Sequence, residues 1–184
     1  MASDIKLLNK SDMLNLPEQY YPYILVFDKL RSFSGFMIKI HQNGFYQHAA
    51  FYLKPTLVAS QGWLYRVVPI KAFLKKYRIK VFYNPESTYY ENGRLKSIIK
   101  NELEEVWYKR FYDILGVFGK IIHWTRLNSR VLNFCSERII EDLVAWQPKE
   151  YIGLVAHMSP PELNAYLKNH LQWEVYGLYE PERK

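Results

Sequence analysis

The stretch "GFYQHAAFYL", residues 44–53, decides how this chain is read. It is rich in aromatics and bounded by a glycine, and it has the length of one strand. Alternation would set Tyr46, His48, Ala50 and Tyr52 on one face, so that the His48 imidazole projects from a rigid sheet beside small neighbours, Ala49 and Ala50. Working outward, "YYPYILVFD" (20–28), "TLVASQGW" (56–63), "YRVVPI" (65–70) and "RIKVFY" (78–83) are similar short runs between glycine, proline and asparagine residues. Their connections look too short for crossover helices, which predicts antiparallel pairing. Only "IKAFLKKY" (70–77), after Pro69, interrupts them with a short helix.

From Gly93 onward the pattern becomes helical. In "RLKSIIKNELEEVWYKRFYDILGVF" (94–118), Leu95, Ile98, Ile99, Leu103 and Val106 recur at three- and four-residue spacing. Glu102, Glu104 and Glu105 point in different directions on such a helix and read as a solvated face rather than an acid/base pair. "SPPEL" (159–163) joins Ser159 as N-cap to Glu162 three residues later, starting a helix that should run to about Leu171. A final strand is expected at "QWEVYGL" (172–178). Strands followed by helices argue an α+β fold, and 184 residues suit a single domain over 1–184.

Composition narrows the function classes. No stretch has eighteen uninterrupted apolar residues, and "MASDIKLLNKSDM" lacks the basic start and apolar run of a signal peptide, so a cytoplasmic or virion-associated protein without a transmembrane segment is expected. The formal net charge is +7, with its densest run in "KKYRIK" (75–80). Alternation would place Arg78 and Lys80 on one face and Ile79 and Val81 on the other, a solvated face over a buried one, and no recognition motif accompanies the charge. Nucleic acid is therefore not the expected partner. "YYPY" (20–23) and "STYY" (87–90) are read as surface packing of amphipathic rings in preference to stacking on a sugar or base. The single cysteine excludes an internal disulfide and cysteine-based zinc.

That cysteine, Cys135, lies in "NFCSERIIEDL" (133–143), in the first turn of a helix with Asn133 available as N-cap and Ile139, Ile140, Leu143 and Val144 along an apolar stripe. A thiolate there would meet the positive end of the helix macrodipole and unpaired backbone N–H groups, which lower a thiol pKa. Lone cysteines at apolar helix starts are more often packing residues than nucleophiles. A base could come from His41, His48, His123, His157 or His170; His48 is favoured by its strand, while His123 and His157 stay open as the group that approaches the thiol.

"YQHAAFYL" (46–53), "YDILGVFGK" (112–120), "FCSERIIEDL" (134–143) and "MSPPELNAYL" (158–167), in this order, resemble the circularly permuted NlpC-type branch of the papain-like cysteine peptidases and amidases, whose relatives include lecithin–retinol-type acyltransferases. The resemblance spans residues 23–172. It implies a permuted papain-like fold, with an antiparallel, partly barrel-like sheet packed against helices. It further implies Cys135 as nucleophile and His48 as general base and then acid; Tyr112 and Asp113 match its Tyr-Asp pair and are candidates for the substrate side, with Asp113 read more readily as a structural partner of a backbone N–H or an arginine. No metal and no cofactor would be required. The family's imidazole-orienting glutamate is replaced here by Ala59, which leaves Gln61, two residues on, as the group that could accept a hydrogen bond from the ring. Glu137, in the first turn of the cysteine helix, reads as a partner of the helix dipole and is given no chemistry.

The expected function is thus a thiol hydrolase or acyltransferase acting on an amide, peptide or ester bond, with a peptide, peptidoglycan or lipid-like acyl substrate. Its alternative is a catalytically silent binding or structural module, phage-associated in one version, that uses its basic surface.

Overall fold

The computed structural model describes residues 5–29, 48–61, 64–104, 135–147, 158–169 and 172–181. Among them, seven strands form one sheet: β1 (Leu7–Leu8), β2 (Tyr23–Lys29), β3 (His48–Lys54), β4 (Leu57–Gln61), β5 (Tyr65–Pro69), β6 (Tyr77–Tyr83) and β7 (Glu174–Tyr179). The helices are α1 (Lys10–Leu14), α2 (Ile70–Leu74), α3 (Tyr89–Glu104), α4 (Cys135–Trp146) and α5 (Pro160–Asn169). The strand order is β1-β7-β6-β2-β3-β4-β5.

The α+β class stands, but the partly barrel-like, antiparallel sheet does not. The sheet is open, with β1 and β5 at opposite edges, and mixed, because Leu7 and Leu8 pair in parallel with Leu178 and Tyr179. Barrel closure would require those edges to pair. One edge is a strand of two residues, and the other ends at Pro69, which has no backbone N–H to donate.

A crossover helix also exists where the short connection argued against one. The pairings make β5 and β6 run in the same direction with three strands between them, so α2 must carry the chain across the sheet. Its apolar residues Ile70, Phe73 and Leu74 hold it there, packed with Leu25, Phe27 and Ile79. Helix α2 therefore stops at Leu74 instead of continuing to Tyr77, which already belongs to β6.

Both sheet faces are covered. Ile24, Val26, Ala49, Phe51 and Phe82 face α3, α4 and α5. Tyr23, Leu25, Ala50, Tyr52 and Val58 face α1 and α2. This double cover overturns the solvated reading of Arg78 and Lys80. Arg78 donates to both carboxylate oxygens of the fully buried Asp28 at 3.1 Å, and the buried Lys80 donates to Asn164 of α5 at 3.2 Å. It also places Tyr21 and Tyr23 of "YYPY" in the core, while Tyr89 and Tyr90 are 87% and 81% exposed.

Helices α3 and α4 pack antiparallel. The Trp146 indole donates to the Glu91 carbonyl at one end, and Arg138 pairs with Glu102 at the other. Helix α3 starts at Tyr89, earlier than the apolar spacing suggests, because Thr88 and Glu91 cap it reciprocally: the Thr88 backbone N–H donates to the Glu91 carboxylate at 2.8 Å, and the Glu91 N–H to the Thr88 hydroxyl at 3.2 Å. Helix α5 begins where predicted, with the Ser159 N–H donating to Glu162 at 2.6 Å.

Gly177 sets how closely β1 approaches β7. A Cβ there would lie 2.7 Å from the Lys6 carbonyl oxygen and 2.7 Å from Leu8 Cγ. Gly177→Ala should therefore lower stability by about 1–3 kcal/mol, read in urea unfolding, with amide exchange of Leu178 rising first. An unchanged midpoint would mean that β1 contributes nothing to the sheet.

Candidate functional site

Helix α4 lies across β3 on the helical side of the sheet. The contact is close because the strand presents Ala49 to it, a buried residue with only a methyl group. The first turn of α4 is anchored by the Ser136 hydroxyl, which donates to the Met158 carbonyl just before α5. Together these contacts bring the Cys135 Sγ to 3.8 Å from the His48 Nδ1.

His48 opens β3 as described, directly opposite Phe27 on β2. The two rings stack at 5.6 Å between centroids and 29° between planes, so an aromatic face helps fix the imidazole. The ring also borders a cavity of about 230 Å³ on the α2 side of the sheet, whereas Cys135 is only 2% exposed and does not line it.

Burial dominates the electrostatics. It pushes the Cys135 thiol up to about 11, against hydrogen bonds from the backbone of Ala49, Ser136 and Cys135 itself that act in the opposite direction; the Glu137 carboxylate adds a smaller upward push. The lowered thiol expected at a helix start is thus not found, because desolvation of the thiolate outweighs the N–H groups aimed at it. Burial likewise lowers His48 from 6.5 to about 4. At neutral pH the pair is a thiol beside a neutral imidazole.

Of the other expected site residues, Ala59 is fully buried on the helical face, opposite Phe51. Gln61 ends β4 opposite Tyr65, and its side chain lies outside the described residues. Tyr112, Asp113 and Asn133 lie outside them too, as do His41, His123, His157 and His170. The residue of β4 that shares a cavity with His48 is Ser60, paired across the sheet with Ala50 on one side and Arg66 on the other. Strand alternation could have found it: Ala50, two residues after His48, lies on the same face, and Ser60 is its cross-strand partner.

Among the described residues no group of three or more histidine, cysteine, aspartate or glutamate side chains could hold a metal ion, and no helix is long and apolar enough to cross a membrane. No family model matches the chain, and no curated protein matches it significantly.

The depressed His48 pKa has a consequence for stability. Above pH 6.5 the ring is neutral in the folded and unfolded chains alike, so it imposes no penalty. As pH falls from 6.5 to about 4, the unfolded chain takes up a proton that the folded chain refuses, and stability is lost through that window. His48→Gln should flatten this part of the stability–pH curve measured by urea unfolding. An identical slope in the variant would show that His48 titrates normally in the folded protein.

Proposed function

We propose that the chain is a thiol-dependent hydrolase or acyltransferase that acts on an amide, peptide or ester bond through Cys135 and His48. The observation that carries this reading is the 3.8 Å approach of Sγ to Nδ1, made by a helix start and a strand that are both fixed by packing. The ordered resemblance to permuted NlpC-type enzymes supports it independently.

Because the pair rests neutral, the reaction requires general-base catalysis in place of a preformed thiolate–imidazolium pair. As Sγ attacks the substrate carbonyl carbon, the thiol proton passes to Nδ1 of His48. The backbone N–H groups of Cys135 and Ser136, which reach Sγ in the resting site, would serve the oxyanion as it forms. Collapse of the tetrahedral intermediate breaks the bond to the amine or alcohol, which leaves with the proton returned by His48. The thioester on Cys135 is then attacked by water or another acceptor, whose proton His48 takes and passes back to the departing thiolate.

A silent binding module is the second reading, favoured by one observation: among the described residues burial is what shifts His48, and no carboxylate acts on it. Without that partner an imidazolium is less stabilised.

The deciding experiment is incubation with p-nitrophenyl acetate, following nitrophenolate release and the mass of the intact protein. One acetyl group on Cys135, formed about 10²–10⁴-fold more slowly in His48→Ala and absent in Cys135→Ser, is the expected result. Acetylation that ignores His48, or none at Cys135, favours the silent module.

A further inference from the structure

The cavity beside His48 has a chemical character of its own. Its floor is aromatic and aliphatic, built by Phe27, Val68, Phe73 and Tyr77 from three strands and α2. Two cations stand on its walls: Arg66 of β5, directly across from Ser60, and Lys76 in the turn after α2. Both side chains are exposed, and among the described residues neither forms a salt bridge and no carboxylate lines the cavity. The contrast with the nearby Arg78 is direct, since that guanidinium is held by Asp28.

We propose that this cavity is a substrate subsite that takes a group carrying one anionic end, a carboxylate or a phosphate, on a short apolar stem. Three physical arguments converge on that occupant. An apolar floor favours a hydrocarbon stem by removing it from water. Arg66 and Lys76 supply charge-assisted donors for the anionic end, with the arginine able to bind two oxygens at once. The volume of about 230 Å³ falls below the roughly 300–1,000 Å³ of cavities that enclose whole ligands, so it accommodates one group of a larger molecule. His48 lines this cavity and lies 3.8 Å from the Cys135 thiol, so an occupant touches the imidazole of the pair. The proposal rests on the thiol–imidazole reading only in calling the occupant part of the substrate; the cavity and its charge stand without it.

The test is an NMR titration of methyl-labelled Cys135→Ser protein, which binds without reacting, with hexanoate, hexyl phosphate and the neutral hexanamide, following Val68 and Ala72. Hexanoate or hexyl phosphate should shift both methyl signals and bind about ten-fold or more tightly than hexanamide. The R66Q/K76Q double variant should lose that preference while still binding hexanamide, which shows that its cavity is intact. The stronger of the two anions identifies whether the end group is carboxylate or phosphate. Equal or tighter binding of hexanamide, unmoved Val68 and Ala72 signals, or a preference that survives in R66Q/K76Q would overturn the proposal. Because the reactive sulfur is absent, failure of the acetylation experiment leaves this outcome unaffected, and failure here leaves the acyl-enzyme untouched.

Discussion

The closeness of α4 to β3 is the constraint on which the site depends. Ala49 allows it: a methyl group is all that separates the helix start from the strand backbone, and the Ala49 backbone reaches Sγ with a hydrogen bond. A larger residue would lift the helix and separate the thiol from the imidazole. The remaining anchors act at a distance from the pair. Arg138 with Glu102 and Trp146 with Glu91 fix α4 along α3, and Ser136 fixes its first turn to the segment before α5. Helix direction, tilt and height above the sheet are thus set by different residues.

The pair displays a competition between two effects of location. A helix start offers N–H groups and a positive potential, while a packed core withholds water from the thiolate. Here the core wins at Cys135 and at His48, in opposite directions, and both groups stay uncharged. The stacked Phe27 ring supports the imidazole by shape without supplying charge.

Much of the strand layout was readable because short aromatic and β-branched runs between turn residues have few alternatives, and the Ser159–Glu162 cap announced α5. The start of α3 was equally available in Thr88 and Glu91, but the apolar spacing begins later and drew the reading to Gly93. Alternation in "RIKVFY" identified two faces correctly and said nothing of whether both are covered, so the burial of Lys80 and the Asp28–Arg78 pair were beyond it. Openness of the sheet was also out of reach, since it depends on which distant strands meet. Reading Ala59 as the vacancy behind His48 looked along β4 to Gln61, whereas register across the sheet leads to Ser60. Cys135 and His48, 87 residues apart, could be paired only through the order of motifs, because neither has a local signal that points to the other.

The strand order also dictates a sequence of assembly. Strands β2 to β5 pair with their immediate neighbours and can zip locally, but β6 must reach back to β2 across 50 residues at the Asp28–Arg78 pair. Strands β1 and β7 join residues 7–8 to residues 178–179. Each of these steps closes a long loop before its contacts can compensate for the lost chain entropy, which makes folding slow for a domain of this size. Until residues 174–179 arrive, β6 presents a bare hydrogen-bonding edge with Ile79, Val81 and Phe82 close behind it, so a nascent or truncated chain lacking β7 carries a template for pairing with its own kind.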